Sequence, residues 1–573
     1  MRKNALRLIS LFTVVLFVLA ATPVAQSAVK PLFYPVEGKN GMVVTGQELA
    51  TQAGLEVLQK GGNAVDAAVT IGFTMAATLP EAGNIGGGGF MLIHSAKTGE
   101  VVALDYREKA PAKAFRDMYL DKDGNAVAKR SRFTHLAAGV PGTVAGLAMA
   151  LERYGTISLE EALAPAIKYA EEGFVLNEKS ARKIQGKEKR LKRFPSAEKI
   201  FFKSDGSFYE AGDLFVQKDL AKSLKAIAKE GPKAFYEGEI ADLIVKEMEA
   251  NNGFITKEDL ANYAPVVRKP IHGTYRGYDI FSMCPPSSGG IHIVQIMNTL
   301  EGFDIGYLGH NTAETIHLMA EAMKPAYADR SEYLGDTDFV KVPLKGLTSK
   351  AYASELRSQI NRFKASDSRK IKPGNAPGYE SDETTHFSIV DKEGNAVSNT
   401  YTINFTFGSG IVVEGAGFLL NNEMDDFSAK PGVPNAYGLI GGDANAVEPN
   451  KRMLSSMSPT IVLKDGKVFL ITGSPGGSRI ITTTLQVIMN VIDHGMNIQE
   501  AVNAVRVHHQ WLPDEIRIEK GLSLDTIKIL TNMGHTVSLK NPMGDASSIH
   551  VDSQTGMRYG AADPRREGLA LGY

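Results

Sequence analysis

Thr384-Thr385-His386-Phe387-Ser388 is the stretch of this chain whose residue types bear most directly on chemistry. It closes a polar segment carrying Pro373, Gly374, Pro377 and Gly378 and opens a run of alternating apolar residues. A threonine hydroxyl is a weak nucleophile and needs a base beside it. If the backbone were cut between Glu383 and Thr384, the threonine would carry that base itself as its new α-amine. Such an amine titrates at about 7.7–8.0, close to working pH, and a terminal amine beside a hydroxyl is an established way to activate it. Glu383–Thr384 is therefore the expected self-cleavage point and Thr384 the expected nucleophile of an acyl transfer. Read alone, a Thr-Thr pair would simply open a strand, so the surrounding residues must carry the assignment.

Acyl transfer also needs N–H donors for an oxyanion. Gly476-Gly477, after Thr472-Gly473-Ser474-Pro475, presents bare backbone where a strand gives way to a helix, and helix N-termini leave N–H groups free. Thr402, on the return strand of the hairpin that begins near Thr384, is placed to reach the nucleophile. Ser455-Ser456 supplies adjacent hydroxyls before a strand, and Glu423-Met424-Asp425-Asp426 supplies three carboxylates in four residues. Each of these runs in isolation reads as a solvated loop, and Arg107 alone reads as a surface charge. There is no phosphate-binding G-x-x-x-x-G-K-[ST] and no H-E-x-x-H, and Gly86-Gly87-Gly88-Gly89 does not fit a dinucleotide fingerprint. His508-His509 lacks a carboxylate at ligand spacing and reads as structural. No metal and no organic cofactor is expected.

The elements that position these residues follow from periodicity. Helices are predicted over 47–59 and 64–77, a hairpin over 90–94 and 101–105, a helical layer over 141–250 and a helix over 312–333. Past Thr384, strands are predicted over 386–390 and 396–404, 460–463 and 467–472, and 548–552 and 557–561. Gly394 and Gly466 supply the turns. A helix over 478–493 stops at Gly495, and Asn497 caps the next. Residues 364–383 read as an exposed loop. The pattern suggests two stacked sheets covered by helices on both sides.

Bulk properties narrow the function classes. Sixty-three Lys and Arg against 64 Asp and Glu leave no electrostatic case for nucleic acid or an anionic membrane surface. Residues 1–27 read as a secretory signal peptide: Arg2, Lys3 and Arg7, an apolar run too short to span a bilayer, and Ala25-Gln26-Ser27 before a cleavage at Ala28. The expected location is the periplasm or the exterior, with no stable span after leader removal. The single cysteine, Cys284, rules out an intrachain disulfide.

Residues 384–388, 421–429, 454–459, 472–479 and 285–290 together, in order and approximate spacing, strongly resemble the γ-glutamyltranspeptidases in their bacterial exported form. The resemblance runs from about residue 38 to the C-terminus. It implies an α+β fold, the four-layer αββα sandwich of the N-terminal nucleophile hydrolases, built from two fragments of one precursor. These would be 28–383 and 384–573, held together as a heterodimer. It implies catalytic roles for Thr384, Thr402, Gly476 and Gly477. It places Arg107, Ser455 and Ser456 on the substrate's α-carboxylate and Asn404, Glu423 and Asp426 on its α-amino group, with Tyr437 gating from a lid over 431–442. Some members carry glutamine where this chain has Glu383 or Glu423. The implied activity is transfer of the γ-glutamyl group of glutathione and related amides, through an ester on Thr384, to water or to amino acids and dipeptides. The alternatives weighed are a cephalosporin (glutaryl) acylase on the same fold and a non-catalytic amino-acid-binding protein of the periplasm.

Overall fold

The structure, a computed structural model, describes residues 31–372, 384–433 and 439–573. The signal-peptide expectation, Glu383 and Tyr437 lie outside the described residues. Two seven-stranded antiparallel sheets stack face to face. One runs Leu569–Gly572, Met42–Thr45, Thr385–Val390, Ala396–Thr402, Gly88–His94, Val101–Tyr106, Val266–Arg268. The other runs Val36–Gly38, Arg558–Ala561, Ser548–Val551, Lys467–Thr472, Thr460–Lys464, Tyr278–Ser282, Ile271–Tyr275.

Three apolar clusters define four layers. Phe387, Ile389, Val397 and Tyr401 of the first sheet pack on helices that include Glu48–Gln59 and Ala64–Thr78. Ile280, Val462 and Leu470 of the second pack on Gly289–Leu300, Ala313–Tyr333 and Arg479–Ile492. Val44, Phe90 and Leu92 meet Ile461, Ile471 and Ile549 between the sheets. This is the expected αββα sandwich, and strand alternation explains it: residues of one parity feed a helical layer and those of the other feed the seam. The helix Ala64–Thr78 is buried along its whole length and is started by a reciprocal capping box between Asn63 and Asp66.

The strand Thr385–Val390, which follows Thr384, lies inside its sheet. It pairs with the return strand, with His386 opposite Thr400 and Thr385 opposite Tyr401. Continuing that register by one residue sets Thr384 opposite Thr402. Under it the seam is polar: His386 Nδ1 meets Thr400 Oγ1 at 2.8 Å, and Ser388 Oγ donates to the Ser547 carbonyl. Burial pushes the His386 imidazole down to about 3, so the ring is neutral.

Several expectations need amendment. The return strand ends at Thr402, not at 404; Asn404 turns into the left-handed region at φ 72°, its N–H bonded to Thr402 Oγ1 at 2.7 Å. Gly88 and Gly89 open the strand paired beside the return strand, opposite Thr402 and Tyr401, and a Cβ on Gly87 would lie 2.0 Å from the Thr402 carbonyl oxygen. That run serves close backbone approach. The region over 141–250 also contains the short strands Phe174–Val175 and Leu214–Phe215. The start of the expected exposed loop is pinned, with Ser368 buried, its N–H on Asp514 and its carbonyl accepting from Trp511 Nε1.

Gly473 packs so tightly on the His386 ring that an added Cβ would sit 2.4 Å from Cε1. Gly473→Ala is therefore expected to destabilise by about 1–3 kcal/mol through overpacking. Thermal or denaturant unfolding checks this, and an unchanged midpoint would contradict it.

Candidate active site

At the end of the hairpin Thr385–Val390 and Ala396–Thr402 a small cleft gathers Thr384, Thr402, Asn404, Arg107, Glu423, Asp426, Ser455, Ser456 and Gly477. These residues come from six separate stretches of chain, and Arg330, Leu439, Met457 and Ile480 complete the wall. Thr384 and Thr402 are both nearly buried. Thr384 has the same strand parity as His386, so its side chain belongs to the inter-sheet side and emerges where the seam opens.

Gly476 and Gly477 follow the strand Lys467–Thr472 and precede the helix Arg479–Ile492. Both have positive φ, 133° and 56°, which only glycine adopts without strain. The turn thus presents backbone at a helix start. The far end of it is held from the helix Ala313–Tyr333, where Tyr327 Oη donates to the Ser478 carbonyl at 2.6 Å.

The loop carrying Glu423 and Asp426 is fixed from beneath. Asn421 Nδ2 donates to the Gly86 and Gly139 carbonyls, its Oδ1 accepts from the Gly139 and Glu423 N–H groups, and Asn404 Nδ2 donates to the Asn422 carbonyl. Ser455 is fixed through Pro285-Pro286-Ser287-Ser288: its N–H donates to the Pro286 carbonyl, and its own carbonyl accepts from the N–H and Oγ of Ser288.

Arg107 is no surface charge. It is fully buried, with Nη1 2.7 Å from Glu423 Oε2 and Nη2 2.5 Å from Asp426 Oδ2. The family resemblance implies opposite ends of a ligand for these three; in the structure they pair with one another. Burial disfavours the guanidinium charge, but Glu423, Glu108 and Asp426 outweigh that and hold it protonated. Burial pushes both the Glu423 and Asp426 carboxyls up, with Arg107 pulling the other way. Glu423 Oε1 has no hydrogen-bond donor, and Oε2 meets only the Arg107 guanidinium.

Two further residues escaped the sequence. Glu108 lies fully buried behind Arg107, 3.6 Å from Nη1, with no hydrogen-bond partner on either oxygen. Burial drives its carboxyl up to about 7 against the pull of Arg107. Arg330 reaches the cleft from the last turn of the helix Ala313–Tyr333. Adjacency to Arg107 was the only available signal for the first, and nothing local marks the second.

The histidine pair at 508–509 is held in structural hydrogen bonds. His508 bonds Thr482 and Gln510, and His509 bonds Asp514 and the Trp511 N–H. His317, Glu321 and His535 also converge, yet both His317 nitrogens are hydrogen-bonded and Glu321 is paired with Lys324 at 2.8 Å.

Comparison with known proteins agrees with this geometry. Residues 50–573 match the family model described as gamma-glutamyltranspeptidase. The chain is 57% identical to the glutathione hydrolase proenzyme of Escherichia coli (strain K12), over 96% of this chain and 95% of that one. A solved Helicobacter pylori gamma-glutamyltranspeptidase is 53% identical with a TM-score of 0.56, covering 57% of this chain and 93% of its own. A cephalosporin acylase from Bacillus halodurans superposes with a TM-score of 0.84 at 28% identity, over 96% of this chain and 98% of that one.

The Glu108 carboxyl supplies a pH test. Its folded value, about 7, lies above the ordinary 4.5, so the fold favours the neutral form. Its contribution to stability is full below about 4.5 and is lost as pH rises towards 7. Glu108→Gln removes that loss. The unfolding midpoint of Glu108→Gln minus that of the parent is expected to become more positive from pH 5 to pH 7; a constant difference would contradict the assignment.

Proposed function

We infer the activity of this chain from one premise: it belongs to the γ-glutamyltranspeptidase family. It is an enzyme of the N-terminal nucleophile hydrolase fold. We propose that it is made as an exported precursor that cuts itself between Glu383 and Thr384, giving fragments 28–383 and 384–573 that remain one heterodimer. The solved relative whose chain covers only 57% of this one supports a two-fragment enzyme. Among the described residues no helix is long and apolar enough to cross a membrane.

In the proposed maturation Thr384 Oγ attacks the Glu383 carbonyl; the C–N bond breaks, which frees the Thr384 amine and leaves an ester, and water then hydrolyses that ester to the Glu383 carboxylate and the free Thr384 hydroxyl. In turnover that amine accepts the hydroxyl proton as Oγ attacks the γ-carbonyl of glutathione or a related γ-glutamyl amide. The Oγ–acyl bond forms and the amide C–N bond breaks. The proton goes to the departing amine, which for glutathione is cysteinylglycine. The Gly476 and Gly477 N–H groups hold the oxyanion, and Thr402 orients the nucleophile. Water then releases glutamate, or the amine of an amino acid or dipeptide takes the acyl group. Tyr437 is proposed to gate the cleft.

The observation that carries this reading is the Arg107–Glu423–Asp426 cluster beside Thr384 in one cleft. A γ-glutamyl group carries a carboxylate and an ammonium on one carbon. The carboxylate can take Arg107 with the Ser455 and Ser456 hydroxyls, and the ammonium can take Asn404, Glu423 and Asp426. A glutaryl group has no ammonium, so it would leave Glu423 and Asp426 without that partner. The high structural likeness to a cephalosporin acylase keeps that activity as the second reading.

Thr384→Ala is expected to migrate as one uncut chain on a denaturing gel and to lose more than about a thousandfold in turnover; two bands from this variant would remove Thr384 as the cutting group. The parent is expected to turn over γ-glutamyl-p-nitroanilide far faster than glutaryl-p-nitroanilide, and the reverse order would favour the acylase.

A further inference from the structure

The cleft holds a second guanidinium whose charge no carboxylate among the described residues answers directly. Arg330 is 4% exposed. Its Nε donates to Ser288 Oγ at 3.1 Å and its Nη2 to Ser456 Oγ at 3.4 Å. Both partners are neutral hydroxyls, and among the described residues no carboxylate lies within ion-pairing distance of it. Two of the five N–H groups of an arginine are thereby used. Burial pulls its guanidinium down to about 10, with Asp426 at longer range opposing this. A buried charge left in this condition is costly unless a ligand completes it.

Arg107 stands in the opposite condition. It is engaged by Glu423 and Asp426 with Glu108 behind. An incoming α-carboxylate therefore meets one guanidinium already neutralised and one that is not. In the cleft wall two guanidinium groups, Arg107 and Arg330, face two carboxyl groups, Glu423 and Asp426. A zwitterionic α-carbon preserves that balance, whereas a donor lacking the carboxylate leaves Arg330 uncompensated.

We propose that Arg330 is a specificity-determining residue of the donor site. It supplies counter-charge for the α-carboxylate and turns the Ser456 hydroxyl proton towards that carboxylate by occupying the oxygen's lone pair. The same helix holds the oxyanion turn through Tyr327, three residues earlier on the same face. The carboxylate anchor and the oxyanion donors are thus referenced to one rigid element. This inference rests on the γ-glutamyl reading of the cleft.

The test compares two donors in the mature two-fragment enzyme: γ-glutamyl-p-nitroanilide, and its analogue with the α-carboxylate replaced by a neutral carboxamide. Arg330→Gln is expected to raise KM for the first about 10- to 100-fold with a smaller change in kcat. It should leave KM for the second within about threefold, so the preference for a carboxylate collapses. Arg330→Lys, which restores charge without the fork, should recover part of the preference. Free L-glutamate should raise the unfolding midpoint of the parent and do so much less in Arg330→Gln. Unchanged KM and preference would overturn the proposal, and so would an equal loss on both donors, which marks a purely structural prop. If Arg330→Gln fails to accumulate, Arg330→Lys carries the same comparison: reduced preference supports the proposal and full preference overturns it. A parent enzyme with no turnover of the carboxylate donor would sink the underlying reading instead.

Discussion

The buried ion cluster of Arg107 with Glu423 and Asp426 is the constraint around which the site is organised. Arg107 follows the strand Val101–Tyr106, and its partners sit on a loop beyond Thr384. Breaking one buried charge pair costs about 3–5 kcal/mol because the remaining charge is stranded. The cluster therefore fixes the carboxylate loop against the first part of the chain, and the same groups are open to exchange with a ligand bearing both charges. On the proposed reading, recognition is substitution: a zwitterion would replace contacts the protein makes with itself, and a ligand with one charge would not. The charge state of Glu108, buried behind Arg107 without a hydrogen-bond partner, bears on the same balance.

The scaffold explains how residues from six stretches meet within one small cleft. Two antiparallel sheets share a seam that is apolar over most of its area and polar beneath the nucleophile. His386 joins the layers there: it bonds Thr400 on the return strand and packs against Gly473 on the way to the oxyanion turn. With the ring neutral and caged, Thr384 and the Gly476-Gly477 turn share a fixed reference. Positioning of that kind, rather than any mobile base, is what an acyl transfer by a terminal threonine demands.

Much of this was legible in the sequence because local signals and long-range demands coincided. Gly394 and Gly466 mark hairpins whose left-handed turns only glycine makes without strain, and Asn497 caps the helix it was expected to cap. The central pair Thr385–Val390 and Ala396–Thr402 followed from period-two alternation. The failures have physical causes. Asn404 leaves the strand because Thr402 Oγ1 captures its N–H, a side-chain bond that periodicity cannot register. The strands Met42–Thr45 and Leu569–Gly572 are too short to stand out, and they exist because their neighbours complete them. Arg330 was invisible, since one arginine in a helix carries no mark of the cavity it faces.

The central claim is that one threonine first parts the backbone and then carries the acyl group on its own hydroxyl. Intact-mass and peptide mapping of enzyme quenched during turnover of a γ-glutamyl donor tests this most directly. The account predicts a small fragment whose first residue is Thr384, bearing one γ-glutamyl adduct on that residue. An active chain continuous through residues 383 and 384, or an adduct on any other side chain, would contradict it.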